Sequence, residues 1–402
     1  MFVNNCYSSH LDESVIDYSW SFSDKTIKDT SYITHGYYTY PAKFIPQLAK
    51  RLIRENSVAG DIIIDPFMGS GTTLVEAIVN DRVGIGTDIN EIANLLAKVK
   101  TTPIENLILV DEFYKMQGDL ENRLNGGFEK AMRESLIKIP DNARIDYWFL
   151  PKQKEKLSII FARILEIDNS HIKDFFLVSF AQILKSCSIW LQKSVKPTRD
   201  MNKKIYNPIE LFISQSKKMI KKHYEFDKIL NPNIKKNIEH YRKVQCSDSR
   251  NLPCEDEKAS LIVTSPPYVT SYEYADLHQL PSLWFGFMKD LPEFRQKFIG
   301  SAYKNRENVD LKSILANQIV SNLKNKKQNE VKNYFADMLE TFEETKRVLR
   351  RGGRACIVIG NTEFQGVEIK NAEVFQEQFH NIGFKTHNKQ LHEIAGVTPQ
   401  EV

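Results

Sequence analysis

Short apolar runs alternating with helical periodicity set the pattern of this chain. Ile62–Asp65 (IIID) and Val83–Thr87 (VGIGT) are brief apolar runs that end in turn or acidic residues, and the stretch 72–80 between them reads as a helix. Strand, helix and strand in that order form a βαβ unit, so a parallel sheet is expected. From about 105 to 240 the pattern changes. Leu157, Ile160, Phe161 and Ile164 recur at helical spacing, and Phe175 to Leu191 reads as a buried helix. Strand runs return at 243–246 (KVQC), 261–264 (LIVT) and 355–360 (ACIVIG), with a further strand predicted over 383–387. Phe335, Leu339, Phe342 and Val348 mark an amphipathic helix that Gly352 and Gly353 are expected to close. The helical stretch therefore interrupts one α/β domain. The division read from the pattern is a polar arm over 1–30, a first part of the domain over 31–104, a helical insert over 105–240, and a second part over 241–402. A basic loop or small insertion is expected within 285–332, its polar, patternless centre at 305–331.

Composition narrows the class. The 402 residues are 42% hydrophobic and 26% charged, ordinary globular usage that allows a sizeable core. No apolar run is long enough to span a bilayer, and the N-terminus lacks a basic lead and an apolar signal core, so a cytoplasmic protein is expected. Five scattered cysteines without a CxxC pair and nine histidines without an HExxH leave no metal expected. The net charge of +4 says little until it is mapped. Lys193 to Lys243 holds fourteen Lys/Arg against five Asp/Glu, and a second basic cluster runs through Lys304, Arg306, Lys312, Lys324, Lys326, Lys327 and Lys332. Both fit a polyanionic partner or a solvated helix face.

Two loops carry the chemistry. The first is Asp65-Pro66-Phe67-Met68-Gly69-Ser70-Gly71-Thr72-Thr73, directly after a strand and opening a helix. Its glycines permit a tight turn and let backbone NH groups approach a ligand at a helix N-terminus. No lysine follows them, which excludes a phosphate P-loop, and the third glycine of a dinucleotide site is missing. Asp88 ends the next strand, where a carboxylate grips a ribose diol. The second loop is Thr264-Ser265-Pro266-Pro267-Tyr268, at the end of a buried strand. Two prolines cannot continue a central strand, so the chain leaves the sheet in a stiff hook. That hook offers the Ser265 hydroxyl, the Pro266 carbonyl and the Tyr268 ring at the carboxyl edge, an arrangement suited to a flat heterocycle with an exocyclic amine.

DPFMGSGTTLVEA followed by TSPPY resembles the S-adenosylmethionine-dependent DNA amino-methyltransferases, which methylate N4 of cytosine or N6 of adenine. Upstream, residues 35–46 (HGYYTYPAKFIP) resemble that family's methionine-binding element; downstream, Cys246-Ser247-Asp248-Ser249-Arg250 resembles the segment whose aspartate contacts the adenine ring. The resemblance covers about 31–100, 243–275 and 340–365. It implies a Rossmann-like class I methyltransferase sheet with helices on both faces, here with a helical insertion.

The resemblance also implies roles. Asp65, Pro66, Phe67, Gly69, Gly71 and Thr72 would cradle the methionine part of S-adenosylmethionine, Asp88 its ribose and Asp248 its adenine amine, with His35 and Lys43 facing the carboxylate. Ser265, Pro266, Pro267 and Tyr268 would be catalytic, on a base flipped out of double-stranded DNA. A serine before Pro-Pro mostly accompanies cytosine in this family, so N4-cytosine is favoured. Adenine-N6 methylation is the nearest rival, followed by RNA base methylation and a catalytically silent DNA-binding protein. A companion restriction endonuclease is the expected partner besides DNA, and no metal is required.

Overall fold

The computed structural model describes residues 2–3, 18–41, 43–125, 129–130, 133–134, 142–194, 196–269, 276–288, 290–301, 306 and 309–385. Its main sheet contains β1 (Phe2–Val3), β2 (Ile62–Asp65), β3 (Val83–Asp88), β4 (Arg242–Cys246), β5 (Ala259–Thr264) and β6 (Leu349–Ile357), in the order β1-β6-β5-β2-β3-β4. The strands β2 to β6 run parallel, and β1 pairs antiparallel with β6. The chain steps outward from β2 through β3 to β4, then returns to the other side of β2 with β5. The crevice between β2 and β5 is therefore the switch point at which an open parallel sheet binds ligands.

Burial of both faces explains the unbroken apolar strands. Ile63, Leu261 and Val263 face Leu48, Leu52 and Ile53 of α1 (Pro46–Asn56). Ile64 and Ile262, pointing the other way, pack with Phe335 and Phe342 of α14 (Asn325–Val348) and Phe375 of α15 (Asn371–Asn381). The helices α2 (Thr72–Val79) and α3 (Glu91–Thr101) follow β2 and β3.

Between β3 and β4 the chain passes through α4 (Asn106–Asn125), α5 (Ala143–Trp148), α6 (Pro151–Leu165), α7 (Ser170–Cys187), α8 (Pro208–Ile229), α9 (Pro232–Lys236) and α10 (Ile238–Tyr241). Side-chain oxygens of Asn142, Asn169 and Asn207 cap the starts of α5, α7 and α8, and proline opens α6, α8 and α9. Helices α4 to α8 bury one apolar core against Ile92, Leu96 and Val99 of α3 and against Leu280 and Trp284 of α11 (Gln279–Trp284), whereas Ile234 of α9 and Ile238 of α10 pack with Val75 and Ile78 of α2. Beyond α11 lie α12 (Leu291–Gln296) and α13 (Ile314–Asn322).

Several sequence expectations are corrected. The buried helix expected through Leu191 stops at Cys187, and Trp190 forms an isolated antiparallel bridge with Arg199. Helix α14 ends at Val348, not at the glycine pair. Gly352 (φ +75°) and Gly353 lie inside β6, where a register shift opposite Ala259 and Leu261 absorbs the extra residues. The patternless centre at 305–331 is helical over Ile314–Asn322 and again from Asn325; residues 302–305 and 307–308 lie outside the described residues. No strand forms over Gly383–Lys385, which leave α15 in a turn, and residues 386–387 also lie outside. A hairpin of β7 (Thr362–Phe364) and β8 (Val367–Ile369) precedes α15 instead.

Candidate functional site

At the switch point one hydrogen bond joins the two loops. Asp65 ends β2 and Thr264 ends β5; the Thr264 hydroxyl donates to Asp65 Oδ1 at 2.6 Å, and the same oxygen accepts the Phe67 backbone NH at 3.1 Å. Burial pushes the Asp65 carboxyl up to about 6. Beyond it, Gly69 (φ +47°) and Gly71 (φ +79°) occupy the left-handed region, and Gly71 caps the start of α2, where Thr72 is buried. A Cβ on Gly71 would come within 2.8 Å of Ala97 on α3, so only glycine lets the loop lie so close to that helix. Pro66 is fastened through its carbonyl, which accepts from Thr87 Oγ1 at 3.0 Å.

Asp88 reaches back to this loop. Its Oδ2 accepts the Gly69 NH at 3.1 Å and its Oδ1 the Asn90 NH at 2.8 Å. Burial again dominates and lifts its pKa to about 6, with the nearby Asp65 adding to the rise. A carboxylate offers about four lone-pair positions, so two such bonds leave room for a diol.

The hook is braced at two points. Tyr334, fully buried on α14, donates its hydroxyl to the Pro267 carbonyl at 2.9 Å. The Tyr268 hydroxyl meets the backbone of Gly360 just past β6, and burial raises its pKa. Pro266 is buried, while Ser265, Pro267 and Tyr268 remain partly accessible.

The other predicted residues are placed differently. Cys246 is the partner of Asp88 in the β3–β4 register, which brings Asp248, two residues on, to the same edge. Arg250 binds both Asp248 oxygens, at 2.9 and 2.6 Å, and also reaches Asp337 and Glu340 on α14. His35 is fully buried with Nε2 2.7 Å from Glu76 Oε1, an oxygen that also accepts from the Tyr32 hydroxyl. Burial lowers its pKa, so the ring is neutral and donates to the carboxylate. The Lys43 ammonium donates to the carbonyls of Thr30 (2.9 Å) and His35 (3.4 Å), and burial pulls its pKa down to about 8. Both side chains fasten the 30–43 segment in place, and the groups they bond to lie outside the glycine loop.

Tyr40 is what links that segment to the loop. A Cβ on Gly69 would meet its ring at 3.3 Å, and the ring also stacks on His278 with centroids 4.7 Å apart. His278 is buried with no partner for either ring nitrogen among the described residues, and burial lowers its pKa to about 4. Sequence reasoning missed Tyr40, His278, Tyr334 and Arg250 as parts of the site. Tyr40 lay within a recognised element, whereas His278 is a lone histidine in YADLHQL with no spacing to flag it.

A mostly parallel sheet with a glycine loop and an acidic strand end at its carboxyl edge defines the Rossmann-like methyltransferase architecture. Residues 5–98 match the family described as DNA methylase. The chain is 27% identical to the Type II methyltransferase M.MvaI of Kocuria varians over 397 residues, covering 87% of this chain and 82% of that protein. Its identity to the Type II methyltransferase M.BsoBI of Geobacillus stearothermophilus is 24%, over 87% of this chain and 78% of that one. A shorter match, 42% identical over 59 residues, covers 15% of this chain and 20% of the DNA adenine methyltransferase YhdJ of Escherichia coli. No solved structure matches the chain. These likenesses support a place for the chain among the DNA amino-methyltransferases.

Among the described residues, no group of three or more His, Cys, Asp or Glu could hold a metal ion, and no helix is long and apolar enough to cross a membrane.

Proposed function

We propose that the protein methylates N4 of cytosine in double-stranded DNA, with S-adenosylmethionine as the donor and the target base turned out of the duplex. The observation that carries this reading is the bond between Asp65 and Thr264, which sets the glycine loop and the Ser265–Tyr268 hook side by side. The loop fits the cofactor: Gly69 and Gly71 take conformations open to glycine, and the Asp88 carboxylate stands beside them as a ribose acceptor. Phe67 and Thr72 flank the amino-acid end of the cradle, Asp248 is the acceptor for the adenine amine, and Arg250 holds that carboxylate in place. Lys43 and His35 are the residues proposed to face the carboxylate, on the segment that Tyr40 joins to the loop.

Bound S-adenosylmethionine supplies a methyl group on a sulfonium, an electrophile that needs neither a metal nor a covalent enzyme intermediate. The protein's task lies with the nucleophile, whose amine lone pair is delocalised into the base. Ser265 Oγ and the Pro266 carbonyl accept the two amine NH bonds and favour a pyramidal nitrogen. Tyr268, anchored at Gly360, presents its ring to the base; stacking of this kind contributes roughly 1–3 kcal/mol. The likeness to two Type II methyltransferases supports a place in a restriction–modification system with a companion endonuclease.

Adenine N6 is the second reading, favoured by the local match to a protein named as a DNA adenine methyltransferase. Digesting methylated DNA to nucleosides and identifying the product by mass spectrometry separates the two. N4-methylcytosine is expected, with activity lost and cofactor binding kept in Ser265→Ala. Finding N6-methyladenine alone would overturn the cytosine reading and leave the fold and the cofactor standing.

A further inference from the structure

The basic residues of this chain are not equally engaged. In the cluster after residue 300, Arg306 pairs with Asp337 and Glu340, Lys312 with Glu343, and both Lys326 and Lys327 with Glu330. Those charges hold the second part of the domain together. On α8, Lys222 pairs with Glu225, and Lys228 lies over Tyr224. The excursion between α7 and α8 differs. Trp190 and Arg199 form an antiparallel bridge, and Leu191 and Asp200 donate their NH groups back across it at 2.8 Å each. Lys203 is consumed internally, donating to the carbonyls of Lys185 and Trp190. Lys193, Lys196, Arg199 and Lys204 are exposed, with no carboxylate partner among the described residues. The nearby acids are already engaged: Asp200 accepts the Asn202 NH, and Asp146 pairs with Lys154.

This basic excursion is stitched to α5. Trp148 stacks on Trp190 with centroids 5.1 Å apart, and the Ile189 NH donates to the Trp148 carbonyl at 2.9 Å. Beside that stack stands Tyr147, 46% exposed, with the Arg199 guanidinium 4.3 Å above its ring and that of Arg144 at 5.9 Å. A guanidinium held against an aromatic face is already ordered, so less freedom is lost when it binds an anion. The shelf is also tied to the start of α11. Arg144 and the Trp148 indole both donate to Gln279 Oε1, at 2.9 and 3.0 Å, and Gln279 directly follows the His278 that stacks on Tyr40.

We infer that Tyr147, Arg199 and Arg144, with the basic excursion beside them, form the surface that holds the phosphate backbone of DNA next to the displaced base. The inference rests on the DNA reading of the site and adds to it the place where the duplex is gripped. Arg199 supplies a charge-assisted bond to phosphate, Tyr147 keeps that guanidinium in position, and Gln279 joins the grip to the segment leading from the catalytic hook.

Binding of a labelled mixed-sequence duplex, followed by anisotropy across a salt series, tests this for wild type, Arg199→Glu and Tyr147→Ala. Both residues are exposed, and an unchanged S-adenosylmethionine affinity by calorimetry verifies that each variant is folded. Arg199→Glu is expected to bind about tenfold more weakly, and to lower the slope of log affinity against log salt by about 0.9 for each phosphate it no longer neutralises. Tyr147→Ala should weaken binding less and leave the slope nearly unchanged. Wild-type affinity and slope in Arg199→Glu would overturn the surface while the wild type still bound and methylated DNA. A wild type that binds cofactor but neither binds nor methylates DNA would bring down the functional reading, and this surface with it.

Discussion

Asp65→Asn should make the cofactor-free protein more stable while ruining its cofactor site. Asp65 is 3% exposed, and burial raises its pKa to about 6, whereas an unfolded aspartate titrates near 3.9. A carboxyl that holds its proton more tightly in the folded state makes stability fall as pH rises from about 4 to about 6. Above that window the full cost persists. A rise of roughly two pH units corresponds to about 3 kcal/mol. Asparagine keeps one oxygen for the Thr264 hydroxyl and the Phe67 NH but turns the other acceptor into an NH2 group, weakening the bond that the Thr73 side chain also makes to the carboxylate, which costs about 1–2 kcal/mol. The net expectation is a gain of about 1–2 kcal/mol at pH 8 that vanishes or reverses at pH 4. Urea denaturation at pH 4, 6 and 8, without cofactor and with slopes compared, measures it. If the variant is less stable than wild type by the same amount at all three pH values, the carboxylate is not a strained buried charge and the reasoning fails.

Three further outcomes follow from the same geometry. Gly71→Ala forces a Cβ to within 2.8 Å of Ala97 at a φ of +79°, so a loss of about 2–4 kcal/mol is expected; a melting point within a degree of wild type would contradict the packing. Tyr334→Phe removes the donor to the Pro267 carbonyl and should cost about 1 kcal/mol while lowering turnover at unchanged cofactor affinity. Wild-type turnover would show that the prolines alone shape the hook. Cofactor affinity should weaken as pH falls through about 6, where Asp88 gains a proton, and Asp88→Asn should bind weakly with little pH dependence in calorimetry.

The central strands were legible because burial on both faces demands unbroken apolar runs such as IIID and LIVT. The start of β6 was not, since LRRGGRA is charged and glycine-rich and joins the sheet only through a register shift. Two residues, Phe2 and Val3, are too few to carry a period, yet they form the antiparallel edge strand beside β6. The glycine loop and the hook were readable because each requires particular residue types at adjacent positions. The Tyr40–His278 stack joins residues far apart in sequence and leaves no local spacing to read. Asp248 was recognised, but its clamp by an arginine that also reaches Asp337 exists only once α14 is docked.

Arg242, the first residue of β4, closes a circuit. Its guanidinium donates to the Thr102 hydroxyl and the Lys98 carbonyl at the end of α3, and to Glu239 on the incoming side. The chain thus leaves the sheet and returns to it at a single clasp after an excursion of roughly 140 residues, whose closure costs about 4 kcal/mol of chain entropy. That entropy grows only with the logarithm of length, so a longer or shorter excursion would weigh on the sheet almost equally. A replacement module must return within reach of Arg242 and lay an apolar face on Ile92, Leu96 and Val99. It must also cover Val75 and Ile78 of α2, where Phe226, Leu230, Ile234 and Ile238 now pack; within those conditions the excursion is free to change while the parallel strands and their glycine loop stay as they are.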